Sequence, residues 1–449
     1  MIRAAKHLGL EWEAAGLPEA PTAPETLKES GLTAGFLNNM ILRTLYTMGG
    51  MLGLDLARYL CLPFKVIEDP LRFLKDEKCI EVTGGDLIGR ISYHFTLTDV
   101  GRHRAQDAMK LCAYVGPAPV PLEDYVEQTY RQAVTGIQCT PDVLRGSFGH
   151  LVITEELFNA IGPAVISGRS VFIYGPPGNG KTSIARSIGE FMNNSGGEIY
   201  IPYAFLAENS IVTVFDQALH QVSEDLGHEH VDDNEATIRR LLNTGTVDSR
   251  WVRIRRPVVI TGGELDLGML DLRYNADANF YQAPLHVKAN GGIFLIDDFG
   301  RQLCSPKELL NRWILPLEDR HDFLTLSSGK KFEVPFEQLT IFSTNLDPKD
   351  LVDDAFLRRI RHKVGILAPE RDTYTRIFNA QVKKLGMNPC PEAIDYLYER
   401  YYNNGRSPRA SDCRDLLETV QSICRYRRQP VQLSRDLMVD ASASFICEF

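Results

Sequence analysis

The sequence is short of the features that mark special classes of protein. Its nine cysteines, scattered from Cys61 to Cys447, form no CxxC pair and no zinc-spaced cluster with histidine. No apolar run approaches the roughly 18 residues that span a bilayer, so membrane insertion is not expected. The opening stretch, MIRAAKHLGLEWEAAG, lacks the apolar core of a secretory signal. With thiols that form no framework, this leads to the expectation of a reduced, cytoplasmic protein. Positive charge is also scarce: the formal net charge is -9. Binding to nucleic acid or an anionic membrane would therefore need a local basic patch. There is no internal repeat and no low-complexity tract.

What remains is an ordinary globular composition, 44% hydrophobic and 24% charged. A chain of 449 residues exceeds one domain of roughly 100–200 residues, so two or three are expected. Residues 1–30 read as a loose Pro/Ala/Glu-rich leader. From 31 to 118, helical spacing in TAGFLNNMILRTLYTMGGM, LDLARYLCL and PFKVIEDPLRFLKDEK precedes a hairpin, CIEVTGG and RISYHFTLTD, and a closing helix. Residues 119–140 read as a proline-rich linker followed by a helix. From 141 to 366, short apolar runs (SVFIY, GEIYIPY, PVVIT, GGIFLID, LTIFST) alternate with helical segments, which implies a mainly parallel sheet covered by helices. Residues 367–449 are helical again and read as a small lid with a C-terminal tail.

The strongest chemical signal is SVFIYGPPGNGKTSIARSIG. A strand leads into Gly175, Pro176, Pro177, Gly178, Asn179, Gly180, Lys181, Thr182 and Ser183, and a helix follows. The glycines let backbone N–H groups turn inward toward phosphate oxygens. The helix presents its N-terminus to the same anion. Lys181 can reach β- and γ-phosphates, and the Thr182 hydroxyl can ligate Mg²⁺. This is a site for ATP.

Further along, GGIFLIDDFGR ends an apolar strand in two carboxylates. Asp297 is placed to hold Mg²⁺ and Asp298 to polarise an attacking water. LTIFSTN puts the Asn345 amide at the end of another strand, where it can sit between γ-phosphate and water. Between these strands lies a hairpin, FLTLSSGKKFEVP. DDAFLRRIRHKV carries a run of arginines, either a basic helix end or a finger reaching a neighbouring subunit's ATP. In GRSPRASDCRDLLETV, Ser407 reads as an N-cap and Pro408 as the first helical residue, which puts Arg409 in the first turn. The helix dipole disfavours a cation there, so a bound nucleotide or a nearby carboxylate is needed. His220, His228 and His230 lie among acidic residues; a solvated acidic helix and a metal site are both open readings.

The order of these motifs resembles the AAA+ ATPases over residues 140–430, and within them the MoxR group. The resemblance implies an α/β P-loop AAA+ module, a parallel sheet flanked by helices plus a small helical lid, here preceded by a domain similar to winged helices. It implies that Asn345 is sensor 1 and Arg409 the sensor 2 arginine, with Arg414 as the alternative. It implies that Arg359, shared with or replaced by Arg358, is the finger acting in trans, and that 149–153 (GHLVI) contacts adenine. It further implies a homo-oligomeric, hexameric ring that hydrolyses ATP with Mg²⁺ and remodels a protein client. The runner-up reading is a DNA-binding regulator or DNA-transaction factor that uses ATP as an assembly switch, with the winged helix contacting nucleic acid. Two departures stand out. Asp298 occupies a position where the family usually has Glu. The interval from Lys181 to Asp297 is 297 - 181 = 116 residues, long for the fold; within this long insertion (200–290), whose role is open, ITGGELDLGMLDLRYNADANFYQAP could be an enlarged helix-2 insertion.

Overall fold

The computed structural model describes residues 18–84, 92–223, 247–351 and 354–446. Its centre is a five-stranded sheet of β5 (Ser170–Tyr174), β10 (Val258–Thr261), β13 (Ile293–Ile296), β16 (Leu339–Thr344) and β17 (His362–Gly365). Their spatial order is β10-β13-β16-β5-β17, and every neighbouring pair is parallel. All residues of β13 and β16 are buried, as a sheet covered on both faces requires. Alternation along the strands then divides the core. Val171, Ile173, Ile293 and Leu295 face one side, with Ile184, Ile188 and Phe191 of helix α8 (Lys181–Gly196). Phe172, Phe294, Ile296 and Phe342 face the other, against Leu309, Leu310 and Trp313 around helices α10 (Pro306–Arg312) and α11 (Ile314–Asp319). Helix α10 starts on a capping box, Ser305 with Glu308, which satisfies two N–H groups at its end.

A second five-stranded sheet has mixed pairing. It joins β11 (Arg273–Asn275), β12 (Phe280–Gln282), β8 (Ser210–Thr213), β7 (Ala204–Ala207) and β4 (Val120–Pro121), in that order. Ile199–Pro202 (β6), one of the apolar runs assigned to the parallel sheet, is not in it. It pairs antiparallel with Trp251–Ile254 (β9) beside the second sheet. A short apolar run carries no information about its partner, which is why the run misleads.

The N-terminal unit runs α1 (Ala34–Met48), β1 (Met51–Leu52), α2 (Gly53–Leu60), α3 (Phe64–Asp76), β2 (Ile80–Gly84), β3 (His94–Leu97) and α4 (Asp99–Leu111). Its three strands form an antiparallel sheet in the order β1-β3-β2. The expected loose leader and linker are packed where they are described. Thr22 bridges to Val247, Ser30 is buried, and Ala118 and Val120 are fully buried. Helix α5 (Leu122–Arg131) follows β4 and stacks Tyr125 on Phe205 of the second sheet at 4.9 Å between centroids. The core of the N-terminal unit continues through Ala118 into Ala204 and Ile211 of that sheet. Arg250 is the clasp: it is paired with Asp248 at 2.8 Å, both buried, and its Nη1 donates to the carbonyls of Ser30 (2.8 Å) and Pro119 (3.3 Å). A buried pair in which all three guanidinium nitrogens find acceptors holds its geometry because breaking it would strand a charge.

Two helices lead into β5, α6 (Pro141–Ser147) and α7 (Glu155–Ser167), and short α9 (Leu285–Lys288) precedes β13. The hairpin between β13 and β16 is β14 (His321–Thr325) with β15 (Lys331–Pro335). It buries Leu324, Phe332 and Val334, and its tip is tied down. The Ser327 amide donates to the Tyr281 hydroxyl at 3.0 Å, and Lys330 pairs with Glu208 at 2.8 Å. After β16, helices α12 (Pro348–Leu351) and α13 (Asp354–Arg359) lead to β17. The chain closes with helices α14 (Arg371–Lys384), α15 (Pro391–Arg400), α16 (Ala410–Tyr426) and α17 (Arg435–Phe445), around a separate core that includes Tyr374, Phe378, Leu416 and Met438. Among the described residues, no helix is long and apolar enough to cross a membrane.

Candidate nucleotide site

The loop from Gly175 to Gly180 joins β5 to α8 at the C-terminal end of the parallel strands. Gly175, Gly178 and Gly180 have φ of 141, 83 and 87°, a region that side chains avoid. A Cβ on Gly175 would also stand 2.1 Å from the Ile366 carbonyl oxygen, so only glycine fits. Gly180 is the N-cap of α8, and the first amides of that helix open toward the loop.

Lys181 is buried and its Nζ uses three donors: to the Gly175 carbonyl (2.9 Å), the Pro176 carbonyl (3.0 Å) and Asn345 Oδ1 (2.6 Å). Burial lowers its pKa, and the charges of Asp297 and Asp298 oppose that shift. The Thr182 hydroxyl donates to Asp297 Oδ2 at 2.7 Å. Asn345 Nδ2 donates to Asp298 Oδ1 at 2.7 Å. Residues 115 to 164 positions apart in sequence, Thr182 with Asp297 and Lys181 with Asn345, thus meet in one polar chain. Asp298 has φ of 49°. Asp and Asn tolerate this left-handed region far better than longer side chains do, which is a local reason for Asp at this position.

These groups line a cavity of about 920 Å³. Pro177, Asn179 and Ser183 also line it, as do His150, Leu151, Val152 and Ile153 from the segment expected to face adenine. The lid closes its far side. The Ser411 amide donates to the Gly178 carbonyl at 2.8 Å, and the Ala410 amide to Asn179 Oδ1 at 3.1 Å. The wall formed by 363–370, in and after β17, carried no motif. The Thr182 hydroxyl and Asp297 carboxylate are hard oxygen donors in contact, which is the donor set Mg²⁺ takes.

Other expected residues lie elsewhere. Helix α16 begins at Ala410, not at Pro408, so Arg409 is its N-cap and Ser407 lies outside it. Arg414, one turn on, lines the cavity and Arg409 does not; the Arg414 side chain pairs with Asp415 at 2.8 Å. Arg358 and Arg359 end α13 away from the phosphate loop. With Arg169, Arg361, Leu317 and Glu318 they line a second cavity of about 380 Å³. Arg359 Nε donates to Glu318 Oε1 at 2.6 Å. His220 is buried and uses both ring nitrogens. Nδ1 accepts from the Asp216 amide at 2.9 Å, so Nε2 carries the proton toward the Lys288 carbonyl at 2.8 Å. Burial pushes its pKa down, and it has no lone pair left for a metal. His228 and His230 lie outside the described residues. No metal-ligating cluster occurs among the described residues.

A parallel sheet in which β5, between β16 and β17, runs into a glycine loop, a lysine-led helix and a facing carboxylate defines a P-loop α/β nucleotide-binding module. Its lid coincides with a family match: a domain of unknown function (DUF8689) matches residues 370–444. No curated protein matches the chain. Among solved structures, it is similar to a Thermotoga maritima RuvB Holliday junction branch migration motor at 12% identity and a TM-score of 0.34, covering 65% of this chain and 67% of that one. It is also similar to domain III of the Thermotoga maritima replication initiation protein DnaA at 15% identity and a TM-score of 0.35, covering 69% of this chain and 99% of that one.

Proposed function

We propose that this chain is a Mg²⁺-dependent AAA+ ATPase, of the MoxR-like kind, that hydrolyses ATP between subunits of a hexameric ring to remodel a protein client. One observation carries the reading. Lys181, Thr182, Asp297, Asp298 and Asn345 converge, through hydrogen bonds of 2.6 to 2.7 Å, at the mouth of the glycine loop that follows β5.

In this reading the loop amides and Lys181 hold the β- and γ-phosphates, and Lys181 exchanges its two carbonyl partners for phosphate oxygens. Mg²⁺ at Thr182 and Asp297 would supply charge neutralisation between the phosphates. Asp298 accepts a hydrogen bond from the attacking water, and Asn345 holds Asp298 and the water in register. Ser411 and Ala410 tie the lid to the loop, at the Gly178 carbonyl and the Asn179 side chain, so a change in phosphate occupancy moves the lid. The arginines Arg358 and Arg359 support a shared site. They lie near the N-terminal end of β5, because the Ser170 hydroxyl donates to the Arg359 carbonyl at 3.3 Å. The phosphate loop leaves the other end. The strand between, Ser170–Tyr174, is about 16 Å long at roughly 3.3 Å per residue. A neighbour's ATP is the one they can serve. Arg414 is the better placed lid cation.

The N-terminal helix–strand–helix–helix–hairpin–helix order supports the winged-helix reading. Two of the three cations of its α3, which a DNA reader would spend on phosphates, are already paired: Lys65 with Glu25 at 3.4 Å, and Arg72 with Asp69. Arg104 beyond the hairpin pairs with Glu77 at 3.0 Å. This favours a protein-facing role over the DNA-binding alternative. A salt-sensitive shift of duplex DNA by the full chain would reverse that preference. The ATPase reading itself is tested by phosphate release with and without Mg²⁺. Release by wild type that persists unchanged in Lys181→Ala would reject the site.

A further inference from the structure

The second cavity holds a problem in electrostatics. Among the described residues, four guanidinium groups, Arg169, Arg358, Arg359 and Arg361, line about 380 Å³ with a single carboxylate, Glu318. The charges come from three places. Arg169 is the residue before β5, Arg358 and Arg359 end α13, and Arg361 precedes β17. The backbone fixes these positions relative to each other. The Thr340 amide donates to the Arg169 carbonyl at 3.3 Å, and β17 pairs with β5 from His362↔Val171 onward. Like charges held together by rigid strands repel, and guanidinium cannot relieve this by losing its proton at neutral pH. Burial and the neighbouring Arg361 and Arg320 all act to lower the pKa of Arg169. Glu318 is engaged with Arg359, so one carboxylate faces an excess of three positive charges.

We propose that this cavity is a receptor for a phosphate-class oxyanion, with Arg169 and Arg361 as ligands alongside Arg358 and Arg359, and that the oxyanion is the terminal phosphate of a nucleotide on a second copy of this chain. Planar guanidinium groups suit this ligand because each offers paired N–H donors to two phosphate oxygens. The trans site thereby gains two cations beyond the pair on α13. Arg169 is the informative one. It lies 190 residues before Arg359 in sequence (359 - 169 = 190) and belongs to no motif. Glu318 holds Arg359 in place and leaves the other three for the ligand.

The proposal rests on the ATPase reading only for the source of the anion, so two arms separate the failures. In the first, pyrophosphate binding is measured by calorimetry on the full chain in a Lys181→Ala background, which disables the chain's own phosphate loop. Lys181→Ala protein is expected to bind pyrophosphate, and adding Arg169→Ala to weaken it by about tenfold or more. Adding Arg169→Lys instead, which keeps the charge but loses the paired donors, should fall between. In the second arm, ATP turnover is compared for wild type and Arg169→Ala. A kcat lower by roughly tenfold or more with KM near wild type places the anion on the neighbour's nucleotide. Weakened pyrophosphate binding with unchanged turnover overturns the neighbour as source and leaves a free phosphate-class anion. Unchanged pyrophosphate binding and unchanged turnover in Arg169→Ala overturn the receptor altogether, whatever becomes of the ATPase reading. Equal losses in Arg169→Ala and Arg169→Lys, with a lowered melting temperature in both, would also overturn it by reducing Arg169 to a structural role.

Discussion

The molecule contains two five-stranded sheets built on different rules. The parallel sheet takes strands from Ser170 to Gly365, packed between α8 on one face and α10 and α11 on the other, and its loops carry the proposed chemistry. The mixed sheet recruits β4, which precedes the nucleotide module in sequence, and pairs it with β7 by a register of Val120↔Phe205. It offers no loop to the phosphate site. Instead it joins the N-terminal unit and the hairpin to the module through Arg250, Tyr281 and Lys330. One sheet positions reacting groups, and the other fixes a large appendage to the machine that would move it.

Substitutions should separate the two sheets cleanly. The largest effect belongs to Lys181→Ala, which removes the one cation at the phosphate loop; ATP turnover, read by phosphate release, should drop to background. Asp298→Asn comes next. Asn tolerates the same left-handed backbone, so the substitution removes charge without strain. Turnover should fall by about 10²-fold while nucleotide binding persists, and turnover near wild type would remove Asp298 from the mechanism. Beside the mixed sheet, at the residue before β9, Arg250→Ala leaves Asp248 buried and unpaired. A loss of about 3–5 kcal/mol in chemical denaturation is expected, with nucleotide affinity retained by the folded fraction. Equal damage to both would mean the sheets do not act as separable parts.

The smallest effect is a pH dependence at the base of the hairpin. Burial alone would raise the pKa of Asp322. Hydrogen bonds and charge from His286 (3.0 Å) and Arg312 (2.8 Å) outweigh it and lower the pKa from 3.8 to about 2. A carboxyl with a depressed folded-state pKa contributes stability that is complete above the unfolded value, near 4, and is lost as pH falls toward 2. The contribution is about 2 kcal/mol by linkage. Denaturant titrations between pH 7 and 2 should show wild type losing that much more than Asp322→Asn. Parallel acid limbs would contradict it.

The same contrast explains what could be read from sequence. Gly175–Thr182 is contiguous, and its residue types are dictated by a backbone that only glycine adopts beside Ile366. Asp297, Asp298 and Asn345 end apolar strands, so their place at one edge follows once the strands are parallel. The helix start is misread from sequence because Ser-Pro looks like a first turn, whereas the helix begins at Ala410, and Arg414 rather than Arg409 lines the cavity. The leader and linker looked loose because proline-rich polar composition says nothing about burial by distant strands. Arg169 was invisible for the same reason: its partners come from a helix and a strand almost 200 residues away in sequence, and the sheet alone brings them together.

The central claim is that the phosphate loop of one subunit is completed by arginines of another. Mixing two variants, Lys181→Ala with an intact arginine pocket and Arg359→Ala with an intact phosphate loop, tests it most directly. Each alone should be nearly inactive, and the mixture should recover a sizeable part of wild-type ATP turnover by pairing an intact loop with an intact arginine. A mixture no more active than the sum of its parts, under conditions where both variants co-assemble, would contradict the shared site.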